Sequence, residues 1–108
     1  MKSLNKVQFI GNIVADAVTK TTGETTKTSF KIAVNRDIKD KDEADFIWMA
    51  IWGERGTKLE KYLTKGRKLY VEGKLRISST ELPDGTFKNF TDVLVDELMF
   101  LDFKEEEA

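Results

Sequence analysis

Histidine and cysteine are both missing from the 108 residues. Without imidazole there is no serine–histidine pair, no histidine general base and no histidine metal ligand. Without thiols there are no disulfides and no thiolate nucleophile, which fits a reducing compartment. Proline occurs once, as Pro83 in the turn signal "LPDG". No apolar run approaches the roughly 18 residues of a membrane span, and the start "MKSLNKVQF" lacks the apolar stretch of a signal peptide. The acidic residues stand singly or in solvated runs such as "DIKDKDEAD" at 37–45. The expectation is a cytoplasmic protein that has no metal site, needs no cofactor and is not an enzyme.

What is present suits one soluble domain: 40% hydrophobic and 34% charged residues on a chain long enough for one core. The net charge is −1, which by itself announces no nucleic-acid partner. The end "KEEEA" carries −2, so residues 1–103 sum to +1. That division sets the expected boundaries: one domain over 1–103 and a short acidic end over 104–108.

Periodicity reads mostly as strands. Residues 5–13 form a first strand in which Gly11 interrupts the apolar pattern, as bends and bulges do. The tract 19–27, "TKTTGETTK", is loop or hairpin tip. Residues 28–35 alternate, with Phe30, Ile32 and Val34 on one side and Ser29, Lys31, Ala33 and Asn35 on the other. Residues 57–65 are the one good helix, where Thr57 and Glu60 have capping-box spacing and Leu59, Tyr62 and Leu63 make a stripe that Gly66 is placed to end. The strand at 68–77 puts Leu69, Val71, Leu75 and Ile77 inward, and Tyr70, Glu72, Lys74 and Arg76 outward. A last strand spans 86–96, and "LMFLDF" closes the domain.

One stretch breaks the alternation. In "ADFIWMAIW" at 44–52, Ile47, Met49 and Ile51 fall on one face, while Phe46, Trp48, Ala50 and Trp52 fall on the other. Both faces are apolar, so the strand is either buried twice over or offers flat aromatics to something outside the chain. Three strands, a short helix, then two or three strands fit an all-β five-stranded Greek-key barrel with the helix between strands three and four. That is the OB-fold, whose sheet face and loops bind oligonucleotides. An SH3-like barrel or a generic β-sandwich also fits the pattern.

"LNKVQFIGNI" at 4–13, "FKIAVNR" at 30–36, the run 44–76 and "DGTFKNFTDV" at 84–93 resemble the bacterial-type single-stranded-DNA-binding protein family. The likeness runs in order over nearly the whole chain. Its most specific pieces are the opening "NKV..IGN" and the run from "YL.KG" through "VEG.LR". It implies an OB-fold that coats single-stranded DNA in replication, recombination and repair, usually as a homotetramer built from dimers. Such proteins stack bases on aromatics in a basic groove, a mode that tolerates any sequence because every base has a π-face.

Carried over position by position, the resemblance puts Phe46 where the family often has a DNA-stacking tryptophan, and Trp52 where it has a stacking phenylalanine. Trp48 takes a position that is often basic, and is an extra aromatic. Arg76 and Lys65 match basic DNA-facing positions, and Lys74 shares the outward face of Arg76. Lys39 and Lys41 precede the platform, and Lys88 lies in the last strand. Asn5, Lys6, Lys68 and Tyr70 fall near the contact between dimers. The bland alternative for the aromatics is packing under a loop or in a subunit interface, and for each lysine a merely solvated charge.

Departures from the family pattern are specific. Thr80 stands where a stacking tryptophan is frequent, Ile38 or a polar neighbour replaces another, and Glu54 replaces a frequent lysine. Phe87 and Phe90 are the candidate compensations. Family members usually continue into a long linker with an acidic tip closed by proline and phenylalanine, whereas this sequence runs to "FLDFKEEEA". The expectation is a short form, of the kind a phage or mobile element carries, with no tail-mediated recruitment of repair enzymes. A competing class is a primosome or replication accessory OB module acting through protein contacts. Single-stranded RNA is a close variant, since stacking ignores sugar identity.

Overall fold

The computed structural model describes residues 3–37 and 43–102. Lys39 and Lys41, Ile38 and the acidic end at 104–108 lie outside the described residues. Six strands and one short helix follow in the order β1 (Val7–Ile13), β2 (Val18–Thr22), β3 (Thr25–Asn35), β4 (Ala44–Trp52), α1 (Glu54–Leu59), β5 (Lys68–Glu81) and β6 (Phe87–Phe100). Strands β1, β5, β6, β4 and β3 pair in that order, and a short β1–β3 pairing closes them into a five-stranded barrel. Strand β2 shares the second edge of β3 and makes a hairpin with it. All pairings are antiparallel except β4 with β6.

The core holds the inward set of every barrel strand: Ile13, Phe30, Ile32, Met49, Ile51, Leu69, Val71 and Val93, with Leu63 closing one end. Burying one such side chain contributes about 1.5–3 kcal/mol, so these residues dictate which face of each strand turns in. β4 obeys the rule with Ile47, Met49 and Ile51, and its aromatics Phe46, Trp48 and Trp52 are left outside.

Four local readings need correction. The tract 19–27 is strand and tight turn, with Gly23 at φ +62 between β2 and β3; its Thr/Lys pattern is polar on both faces and so lacks alternation. The helix spans 54–59 and tightens into a 3-10 turn at 60–62, rather than running over 57–65. Its N-cap is Gly53 at φ +83 with no side-chain cap, so the Thr57/Glu60 box is not used. Gly56 decides that register, because it packs where a Cβ would lie 2.5 Å from Thr28 Oγ1 and 2.9 Å from the Ile51 carbonyl. Gly11 marks a close approach to β3, a Cβ there falling 2.6 Å from the Ala33 carbonyl, while the bulge sits instead at Glu72/Gly73. Ile77 is 65% exposed, because β5 and β6 run on past the barrel as a two-stranded arm turned at Gly85.

Candidate nucleic-acid interface

The outer face of β4 carries three rings with large exposed areas: Phe46 at 62%, Trp48 at 49% and Trp52 at 43%. Register fixes their neighbours. On β3, Lys27 is opposite Trp52, Lys31 opposite Trp48 and Ala33 opposite Phe46. The Lys31 ammonium lies 5.0 Å from the Trp48 ring centroid and 5.8 Å from that of Phe46, and Lys27 lies 5.6 Å from that of Trp52. These are cation–π distances. Each cation therefore sits beside a ring that a stacked base could also use.

On the other side of β4, Trp48 pairs with Asp92 of β6, which pairs with Arg76 of β5. Lys31, Trp48, Asp92 and Arg76 thus make one outward row across four strands. Arg76 donates from Nε to Asp92 Oδ1 at 3.0 Å and from Nη2 to Oδ2 at 2.7 Å, the planar fork that Arg forms with carboxylates. Its guanidinium carbon is 5.7 Å from the Trp52 ring centroid.

A groove of about 750 Å³ runs over this row. Lys20, Lys27 and Lys31 line one side, Trp48 the floor, and Arg76, Ser78 and Phe90 the side made by β5, β6 and the base of the arm. Lys88 lies 5.3 Å from the Phe90 ring centroid, outside the lining. A second hollow, lined by Lys20, Thr22, Thr25, Lys27, Ser29 and Trp52, continues the surface along the β2–β3 hairpin. Lys20, Lys27 and Lys31 make no ion pair with another described residue. The surface offers flat rings and unneutralised cations to a flexible, aromatic polyanion.

The predicted residues divide. Phe46, Trp48, Trp52, Arg76 and Phe90 come together on one surface, with Lys88 beside Phe90. Phe87 is exposed on the arm near its tip, opposite Glu81, and does not line the groove. Lys74 is exposed on β5 opposite Leu94 and also lies outside the lining. Lys65 sits in the turn after the helix, its backbone N–H donating to Asp16 Oδ1 at 2.8 Å, and Asp16 closes that end of the groove. Thr80 pairs with Lys88 on the arm, and Glu54 begins α1 away from the groove. Sequence reasoning placed Lys31 on an outward face without making it a candidate, and missed Lys20 and Lys27. The available signal was their symmetry about "TGET", which folds two lysines into one cross-strand pair.

A profile of the Single-strand binding protein family matches residues 4–101. The chain belongs to that family. It is 43% identical over 101 residues to a single-stranded DNA-binding protein of Clostridium perfringens, covering 92% of this chain and 67% of that protein. Identity to a single-stranded DNA-binding protein of onion yellows phytoplasma is 36% over 107 residues, covering 95% and 99%. The fold is similar to that of the Plasmodium falciparum SSB solved in complex with ssDNA, with TM-score 0.84 and 29% identity, over 94% of this chain and 98% of that one.

In this member of the SSB family the outer surface of β1, β5 and β6 is a separate feature. Ile10, Tyr70 and Met99 form one rung of it, and Gln8, Glu72 and Glu97 the next. Gln8 Nε2 donates to Tyr70 Oη at 2.8 Å, Tyr70 Oη donates to Glu72 at 2.8 Å, and Lys6 pairs with Glu72 at 3.5 Å. The Tyr70 hydroxyl, aided by Lys6 and Gln8, holds the Glu72 carboxyl below the usual range. Asn5 exchanges two hydrogen bonds with the Leu75 backbone, and Lys68 lies opposite Asn12. All four predicted interface residues are on or beside this surface.

Proposed function

We infer that this chain binds single-stranded DNA without reading its sequence, acting by binding alone. The observation that carries the reading is the outer face of β4, where Phe46, Trp48 and Trp52 stand exposed beside Lys27 and Lys31. Bases stack on Trp52, Trp48, Phe46 and Phe90, each contributing roughly 1–3 kcal/mol. Lys20, Lys27 and Lys31 neutralise phosphates and release counterions. Lys65, Lys74, Lys88 and Phe87 are peripheral in this scheme. Coating single strands in replication, recombination and repair in the cytoplasm is the role that follows from such binding.

The same reading includes self-association into a homotetramer built from dimers. The apolar rung of Ile10, Tyr70 and Met99, with Met99 60% exposed, supplies a surface on which a second copy buries area.

Titration with oligo-dT tests the binding. Tryptophan emission is expected to quench on saturation, and log K to fall by about 0.7 per unit log salt for each phosphate neutralised. Trp52→Ala is expected to weaken dT and dC binding alike. Absence of quenching at low salt would overturn the reading, and equal affinity for oligo-rU would widen it to RNA.

A further inference from the structure

The groove contains a charge that a polyanion site has no obvious use for. Asp92 stands in the middle of the outward row, directly between Trp48 and Arg76, with its side chain only 18% exposed. Both of its oxygens are taken by the Arg76 fork. The pair sums to zero, so the arginine's charge is spent inside the protein before any phosphate arrives.

What the fork leaves available is a shape. Two hydrogen bonds hold the guanidinium in place and Asp92 matches its charge, so a phosphate gains little there, while the flat face remains open to a base. That face adjoins the Trp52 ring and lines the groove with Trp48 and Phe90. Across the groove Lys20, Lys27 and Lys31 have no carboxylate partner among the described residues. The groove is thus positive along β2 and β3, and neutral but flat along β5 and β6.

Resting on the single-stranded-DNA reading above, we propose that Asp92 is a positioning residue that converts Arg76 from a phosphate contact into a stacking surface. The DNA backbone then runs along the Lys20–Lys27–Lys31 side, and its bases turn toward Trp48, Arg76 and Phe90. Asp92 touches no DNA in this scheme and acts only through Arg76.

Four variants measured with oligo-dT over a series of salt concentrations test the division. Lys31→Gln is expected to reduce the slope of log K against log salt by about 0.7, one phosphate contact. Arg76→Gln is expected to weaken binding about tenfold, the scale of one lost stacked base, with the slope unchanged. Arg76→Lys keeps the charge but has neither fork nor flat face, and is expected to lose as much as Arg76→Gln. Asp92→Asn frees the guanidinium, and is expected to bind more tightly at low salt with a slope steeper by about 0.7.

A slope reduced in Arg76→Gln as in Lys31→Gln, or wild-type affinity in Arg76→Lys, would overturn the proposal while leaving DNA binding intact. Asp92→Asn with unchanged slope would do the same. If Asp92→Asn does not fold, the two Arg76 variants decide alone. A wild-type chain that fails to bind oligo-dT at all is the separate failure of the DNA reading itself, and takes this proposal with it.

Discussion

Lys20 and Lys27 stand directly opposite each other across the β2–β3 hairpin. Like charges in that position repel by roughly 0.2–1 kcal/mol, and a bound phosphate removes the repulsion. Lys20→Thr is therefore expected to move two observables in opposite directions. The urea midpoint of the free protein rises slightly, and affinity for oligo-dT falls. A fall in both would mean that Lys20 serves the fold and not the ligand.

Gly56→Ala tests the seat of α1. The added methyl meets Thr28, which is fully buried, and the Ile51 carbonyl, which is backbone and cannot rotate away. Overpacking of this kind costs about 1–3 kcal/mol, more than the helix gains from alanine in place of glycine. Denaturant unfolding should show the loss. Unchanged stability would show that the helix has room to shift.

Acid should loosen the end of β6. Arg67 donates to both oxygens of Asp102, at 3.3 and 3.2 Å, and its guanidinium carbon lies 3.9 Å from the Phe100 ring centroid. The Arg67 hydrogen bond is the largest influence holding the Asp102 carboxyl below the usual range. A carboxyl lowered in the folded state contributes stability above its unfolded value near 3.9, and that stability is lost as pH falls through the folded value. Asp102→Asn is thus expected to be less stable than wild type near neutrality, the gap narrowing below about pH 4. A gap that persists in acid would assign the loss to packing instead.

Assembly has its own handle in Met99, which is exposed and far from the groove lining. Met99→Glu puts a charge on the apolar rung with Ile10 and Tyr70. Light scattering is expected to give a four-chain mass for wild type and a smaller one for the variant, with folding intact. A wild-type mass of one chain at micromolar concentration would refute self-association.

The barrel is largely legible because most of its strands alternate, and the double-sided apolar character of 44–52 points at the exposed aromatic face of β4. Other features escaped. Lys20 and Lys27 belong to the hairpin tract 19–27, which is polar on both faces and where periodicity carries no signal. The helix was displaced because Thr57 and Glu60 gave a local cue that tertiary packing of Gly56 against Thr28 overrides. Counting from Leu69 places Ile77 inward, and neither counting nor composition reveals where a strand leaves the barrel. The resemblance marks Arg76 as a basic DNA-facing position, but its partner Asp92 lies sixteen positions away, joined only by the β5–β6 register.

The parallel seam between β4 and β6 joins residues 48–50 to 92–94, about forty positions apart. The β3–β4 and β5–β6 pairings are between strands consecutive in the chain, but this one must wait for both. Non-local pairings of this kind place small β proteins on the millisecond-to-second side of folding rates. During synthesis the N-terminal half emerges with β3 and β4 already made and the β6 edge of β4 still open. Until β6 is released, Met49 and Ile51 lack the Val93 side of their core and the groove lacks its Phe90 wall, so the interval before completion is when the nascent protein is most exposed to aggregation.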